Sequence, residues 1–152
     1  MRHRSVCHAG WSLIVLAAAC SAAHERAPAR QHSAQRRDIT ITTVPLLSRE
    51  LQSVYPFLKA DFAPGGVLDG KEVYAFEPST ITVMVGDTLH LTLLNPEDDD
   101  HAFVLRDLYV PLRGRTRRDT TYVAREPGIF IFSCSVPAHL PMMRGQLVVL
   151  PD

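Results

Sequence analysis

The sequence predicts an all-β domain, a sandwich or small barrel, and three observations carry that expectation. Short runs rich in Val, Ile, Thr, Phe and Tyr recur along the chain, apolar and polar residues alternate within them, and turn dipeptides such as Asp69-Gly70 and Gly86-Asp87 separate them. A chain of 152 residues has room for one domain with short appendages. With 46% hydrophobic and 21% charged residues it has the balance of a globular protein, neither disordered nor membrane-filled.

The first expected strand, 39–44 (ITITTV), alternates apolar and polar side chains. Runs at 71–76, 81–85 and 89–94 follow, then 102–105, 120–124, 129–134 and 147–150. These make about eight strands, whose pairing order the sequence does not specify. One helical candidate interrupts them. Ser48 can cap a short turn with Leu47, Leu51 and Val54 on one face, stopped near Pro56, so one short helix or insertion is expected near 48–59.

Sixteen basic and sixteen acidic residues cancel, which argues against a nucleic-acid or other polyanion partner for the whole chain. The charge is unevenly placed, however: residues 1–37 hold six arginines and one acid, Glu25. Arg2 and Arg4 precede the uncharged apolar stretch 9–19 (AGWSLIVLAAA). Eleven residues fall well short of the roughly 20 that span a bilayer but suit a secretory signal, expected over 1–19. The end of that stretch, LAAAC, resembles a bacterial lipoprotein signal in which Cys20 takes the lipid; ordinary cleavage after Ala19 or Ala23 is the other reading. Residues 20–37 hold no large apolar side chain and read as a flexible tether to a domain at 38–152. The chain is thus expected to be exported, either periplasmic or membrane-anchored through lipidated Cys20.

Once Cys7 and Cys20 are set aside with the leader, Cys134 is the one cysteine of the domain, in a compartment that oxidises thiols. Alternation places Phe130, Phe132 and Cys134 on one strand face. The chain then turns through a loop broken by Pro137 and Pro141, which carries His139, Met142 and Met143. A thiolate, an imidazole and a thioether within ten residues are ligand types that copper prefers, and His101, opening another strand, is the natural fourth. Two histidines, one cysteine and a weak axial methionine form the type 1, or blue, copper set. His90 alternates with Thr88 and Thr92 and is expected to face solvent.

From about residue 73 to 150 the chain resembles the cupredoxin family. The matching features are Phe76-Glu-Pro78, Ile81-Thr-Val83, Gly86-Asp87, Asn95, His101-Ala-Phe103 and Pro127-Gly128-Ile-Phe130-Ile-Phe132, followed by Cys134, Pro137, His139, Met143 and Gly145. The Cys-x4-His-x3-Met-x-Gly loop looks most like that of azurin-type proteins. The resemblance implies an eight-stranded Greek-key sandwich holding one copper ion and electron transfer with redox donor and acceptor proteins. Met143 has the azurin-like axial spacing. Met142 is the alternative, at the spacing of dinuclear copper centres, whose second loop cysteine is missing from positions 135–138.

A catalytic Cys134–His139 pair would leave His101 and Met143 without a role, and no enzyme activity is expected. Two functions remain: a monomeric carrier cycling between Cu(I) and Cu(II), or a protein that stores, delivers or senses copper. A closed site favours the carrier. Its expected electron route is His139 on an exposed loop, inside an apolar rim of Val136, Pro137, Leu140 and Pro141. The acidic run 97–100 reads as a solvated loop whose charge would lower the reduction potential, and the arginines at 113, 115, 117 and 118 read as a solvated loop or a docking patch for an acidic partner or anionic surface.

Overall fold

A computed structural model describes residues 32–139 and 142–152. The expected signal 1–19, Cys20 and the tether as far as residue 31 lie outside the described residues. Nine strands form: β1 (Arg36–Leu47), β2 (Val73–Glu77), β3 (Thr80–Met84), β4 (Thr88–Asn95), β5 (His101–Leu105), β6 (Leu108–Leu112), β7 (Thr116–Val123), β8 (Gly128–Ser133) and β9 (Arg144–Leu150). They make two mixed sheets, ordered β2-β1-β4-β7 and β3-β9-β8-β5-β6. β1 runs parallel to β4, β3 runs parallel to β9, and the other neighbours are antiparallel. This is the expected Greek-key β-sandwich, with one strand more than the eight read from the sequence.

The extra strand, β6, carries Pro111 at its exposed fourth position while Val110 and Leu112 point inward. A proline removes a ladder donor and signals an interruption; β6 tolerates it because it lies at the sheet edge. β7 begins at Thr116, so Arg117 and Arg118 lie on a strand paired with β4 rather than on a loop. β1 begins at Arg36, two residues inside the stretch read as tether, because Arg36 and Arg37 pair with Thr88 and Leu89. The expected helix near 48–59 is two pieces. Ser48 precedes a 3-10 turn, Arg49–Ser53, without a side-chain cap, and α1 (Leu58–Phe62) follows Pro56 and buries Leu58 and Phe62.

The core follows from alternation. β4 buries Leu89, Leu91, Leu93 and Asn95 in strict turn, and β8 exposes Ile129 and Ile131 while burying Phe132. Phe76, Phe103 and Phe132 meet at ring separations of 5.6, 5.7 and 5.2 Å. Each sits two residues from a buried polar or sulfur-bearing side chain on the same face: Tyr74, His101 and Cys134. An aromatic layer therefore supports the layer that holds the chemistry.

Candidate metal centre

Two strand ends and one loop bring the donors together. His101 opens β5, Cys134 follows β8 directly, and His139 closes a 3-10 turn, Pro137–His139, inside the loop between β8 and β9. The loop is pinned by its own backbone: Cys134 N–H donates to the Met143 carbonyl at 2.9 Å, His139 N–H to Val136 at 3.0 Å, and Met143 N–H to His139 at 3.1 Å. Glu72 N–H reaches the Ala138 carbonyl at 3.3 Å and ties the loop to the start of β2. Gly145 lets the loop rejoin β9, since a Cβ there would lie 2.4 Å from the Phe132 ring.

The two histidine Nδ1 atoms face each other at 3.1 Å, and Cys134 Sγ lies 3.7 Å from His139 Nδ1 and 4.0 Å from His101 Nδ1. Cys134 is fully buried, and each histidine is only 4% exposed. Among the described residues this is the one group of three or more His, Cys, Asp or Glu side chains placed to share a metal ion. His90 is not part of it and stands on β4 opposite Thr121, in the other sheet from His101. Met143 is fully buried in the core with Cys134, whereas Met142 is 61% exposed.

Burial, with His139 nearby, lowers His101 to a pKa of about 4, and burial lowers His139 as well. Both rings are therefore neutral at pH 7, the form that offers a lone pair to a metal. The Val136 N–H points at Cys134 Sγ from 3.4 Å. A soft sulfur and two neutral imidazoles in a buried pocket, with a buried thioether on the same loop, fit one copper ion.

His139 is not on the exposed surface expected of it. Of the expected rim, Pro137 is exposed and Val136 half-buried, while Leu140 and Pro141 lie outside the described residues. The acidic run is clamped rather than loose. Asp98 pairs with Arg115 at 3.6 Å, Asp100 accepts from Gly114 N–H at 2.9 Å, and Arg117 pairs with Asp119 at 2.9 Å. Two of the four arginines are thereby engaged within the chain.

Two residues at the site had no assigned part in the sequence reading. Tyr74 packs its ring 4.7 Å from both imidazoles, and its hydroxyl donates to the Asp99 carboxylate. Burial and that partner hold the phenol well above its ordinary range, so it stays protonated. Asn95, a matching position without a role, donates its amide to the carbonyl of Asp99 at 2.7 Å and of Leu112 at 3.2 Å.

No family model matches the chain, and no curated protein matches it. Solved structures do. Auracyanin A, a blue copper protein from Chloroflexus aurantiacus, superposes with a TM-score of 0.50 at 18% identity, over 76% of this chain and 99% of its own. The chain has the cupredoxin fold. The same fold aligns with a copper nitrite reductase from Nitrosomonas europaea (TM-score 0.55, 18% identity, 77% of this chain) and a multicopper oxidase (0.54, 15%, 78%). This cupredoxin-fold chain spans only 42% and 40% of those two enzymes.

Proposed function

We propose that the protein is an exported mononuclear type 1 copper protein that carries single electrons between redox partner proteins. His101, Cys134 and His139 would hold the metal strongly, and Met143 would be its weak axial donor. The observation that carries this reading is the convergence of two neutral imidazole nitrogens and one thiol sulfur, all within 4.8 Å of one another, in a buried pocket. The burial of Met143 against the exposure of Met142 supports the axial assignment.

Copper would supply one-electron cycling. The chain's own residues keep both imidazoles unprotonated, exclude water and hold the donors in one arrangement, which suits a metal that changes oxidation state without changing partners. The likeness to auracyanin A, a blue copper protein, supports the same reading. Export rests on the signal-like stretch at 9–19, with Cys20 as a lipid attachment point or ordinary cleavage beside it. Among the described residues no helix is long and apolar enough to cross a membrane.

The test is to load the full chain with one equivalent of Cu(II) and record its visible and electron paramagnetic resonance spectra. An intense thiolate-to-copper band with narrow hyperfine splitting is expected, together with rapid electron exchange and retention of copper against a chelator. A type 1 spectrum from a protein that yields its copper readily and exchanges electrons slowly would replace the carrier with a copper-handling protein. An ordinary square-planar Cu(II) signal would overturn the site itself.

A further inference from the structure

A histidine that binds a metal through one nitrogen usually donates its other N–H to a carboxylate or carbonyl, and that bond fixes the ring. His101 lacks this support: its Nε2 is buried with no hydrogen-bond partner among the described residues. What touches the ring instead is aromatic. Tyr74 meets His101 nearly edge-on, at 70°, and meets His139 at 55°; the two imidazoles lie 48° apart. All three ring-to-ring separations are 4.7 Å, so Tyr74 closes a triangle with both histidines.

The tyrosine is itself held from outside. It is 1% exposed, and its hydroxyl donates to Asp99. The Asp99 carbonyl receives the Asn95 amide, and Thr43 Oγ1 donates to Asn95 Oδ1 at 2.8 Å. A continuous chain of contacts thus runs from β1 through Asn95 and Asp99 to Tyr74 and then to both imidazoles. Asp99 is also the carboxylate whose charge acts on both imidazoles, whereas Asp100 acts on His101 alone and Glu72 on His139 alone.

We propose that Tyr74, locked by Asp99, is the positioning residue for both histidines, and that the pair holds a negative charge at the metal which lowers its reduction potential. This rests on the copper reading above. The sign follows from electrostatics: a fixed negative charge favours the more highly charged Cu(II).

Two variants of the full chain separate the parts. Tyr74→Phe keeps the ring and loses the hydroxyl, whereas Asp99→Asn keeps an acceptor and loses the charge. Both should retain the intense visible band. Each should raise the preference for Cu(I) over Cu(II) by about three- to tenfold, at most ~59 mV for one electron. Because the pair acts as one unit, the double variant should shift by less than the sum of the singles. The metal-free chain gives a second readout: Tyr74→Phe should move the nuclear magnetic resonance signals of both imidazoles, and Asp99→Asn should move them less. Unchanged potentials with unchanged imidazole signals would overturn the proposal, and fully additive shifts would overturn the pairing. If the wild-type chain shows no type 1 band, the copper reading fails on its own, and the metal-free imidazole signals still decide the positioning role.

Discussion

The two ends of β4 solve opposite problems. At its start, Asp87 is completely buried and surrounded by donors: His32 Nε2 at 2.6 Å, Gln35 N–H at 2.8 Å, Arg37 Nε at 3.0 Å and Met84 N–H at 3.2 Å. Burial alone would raise its pKa, but these bonds outweigh it and hold the carboxyl well below the usual carboxylate range. At the other end, Asn95 fixes the loop that leads to His101, and there two nitrogens and a sulfur face one another. One pole saturates a charge with protein donors; the other gathers acceptors and leaves their lone pairs directed at a shared point. The contrast shows that acceptors gathered here are not a packing fault. The same sandwich that pairs every Asp87 oxygen leaves its coordinating atoms available where a metal can use them.

The comparison can be broken first at the metal pole. Cys134→Ser should abolish the intense visible band entirely, because a hard hydroxyl does not replace thiolate bonding to copper; a surviving band would remove Cys134 from the site. At the far pole, Asp87→Ala strands two backbone N–H groups and the Arg37 and His32 side chains. It should cost about 3 kcal/mol in a denaturant titration while leaving the position of the band unchanged.

Acid separates the poles more gently. His101 has a folded pKa of about 4 against about 6.5 unfolded, so the unfolded chain takes its proton first. The metal-free protein should therefore lose stability from this residue as pH falls from about 6.5 to about 4. Asp87, whose folded pKa is depressed, contributes in full above about pH 4, and that contribution is lost as pH falls further. Thermal melts of the metal-free chain from neutral to acid pH should show both windows, with His101→Gln flattening the upper and Asp87→Asn the lower. The smallest effects distinguish the methionines. Met143→Leu should keep the colour and raise the potential, whereas Met142→Leu, at an exposed position, should change neither. The reverse result would transfer the axial role.

Much of this was legible because it is written in local spacing. Alternation from Phe130 to Cys134 announced which face receives the thiol, and the loop from Cys134 to Gly145 carries three of the four proposed donors within ten residues. His101 was readable because it opens a strand beside an acidic turn. Tyr74 was not: its partners, Asp99, His101 and His139, are distant in sequence and meet only once β2 lies over the site. β6 was hidden by Pro111 and the start of β7 by its arginines, since both look like interruptions until an edge position and a pairing partner are known. His32 read as part of a tether, and nothing near it in sequence reveals that it would meet Asp87.

That last contact bears on how the molecule can be mounted. His32 also donates its backbone N–H to the Asp152 side chain at 2.6 Å, so the chain joins the sandwich beside the start of β4. The eight residues of β4 put about 23 Å of strand between that junction and the Asn95 end. A surface or electrode bonded to the Asp152 side chain would therefore leave the cluster of His101, Cys134 and His139 at the far end of β4 from the attachment. A graft at Met142 would instead press that end against the support. The choice of handle thus sets which end of the molecule an incoming protein meets.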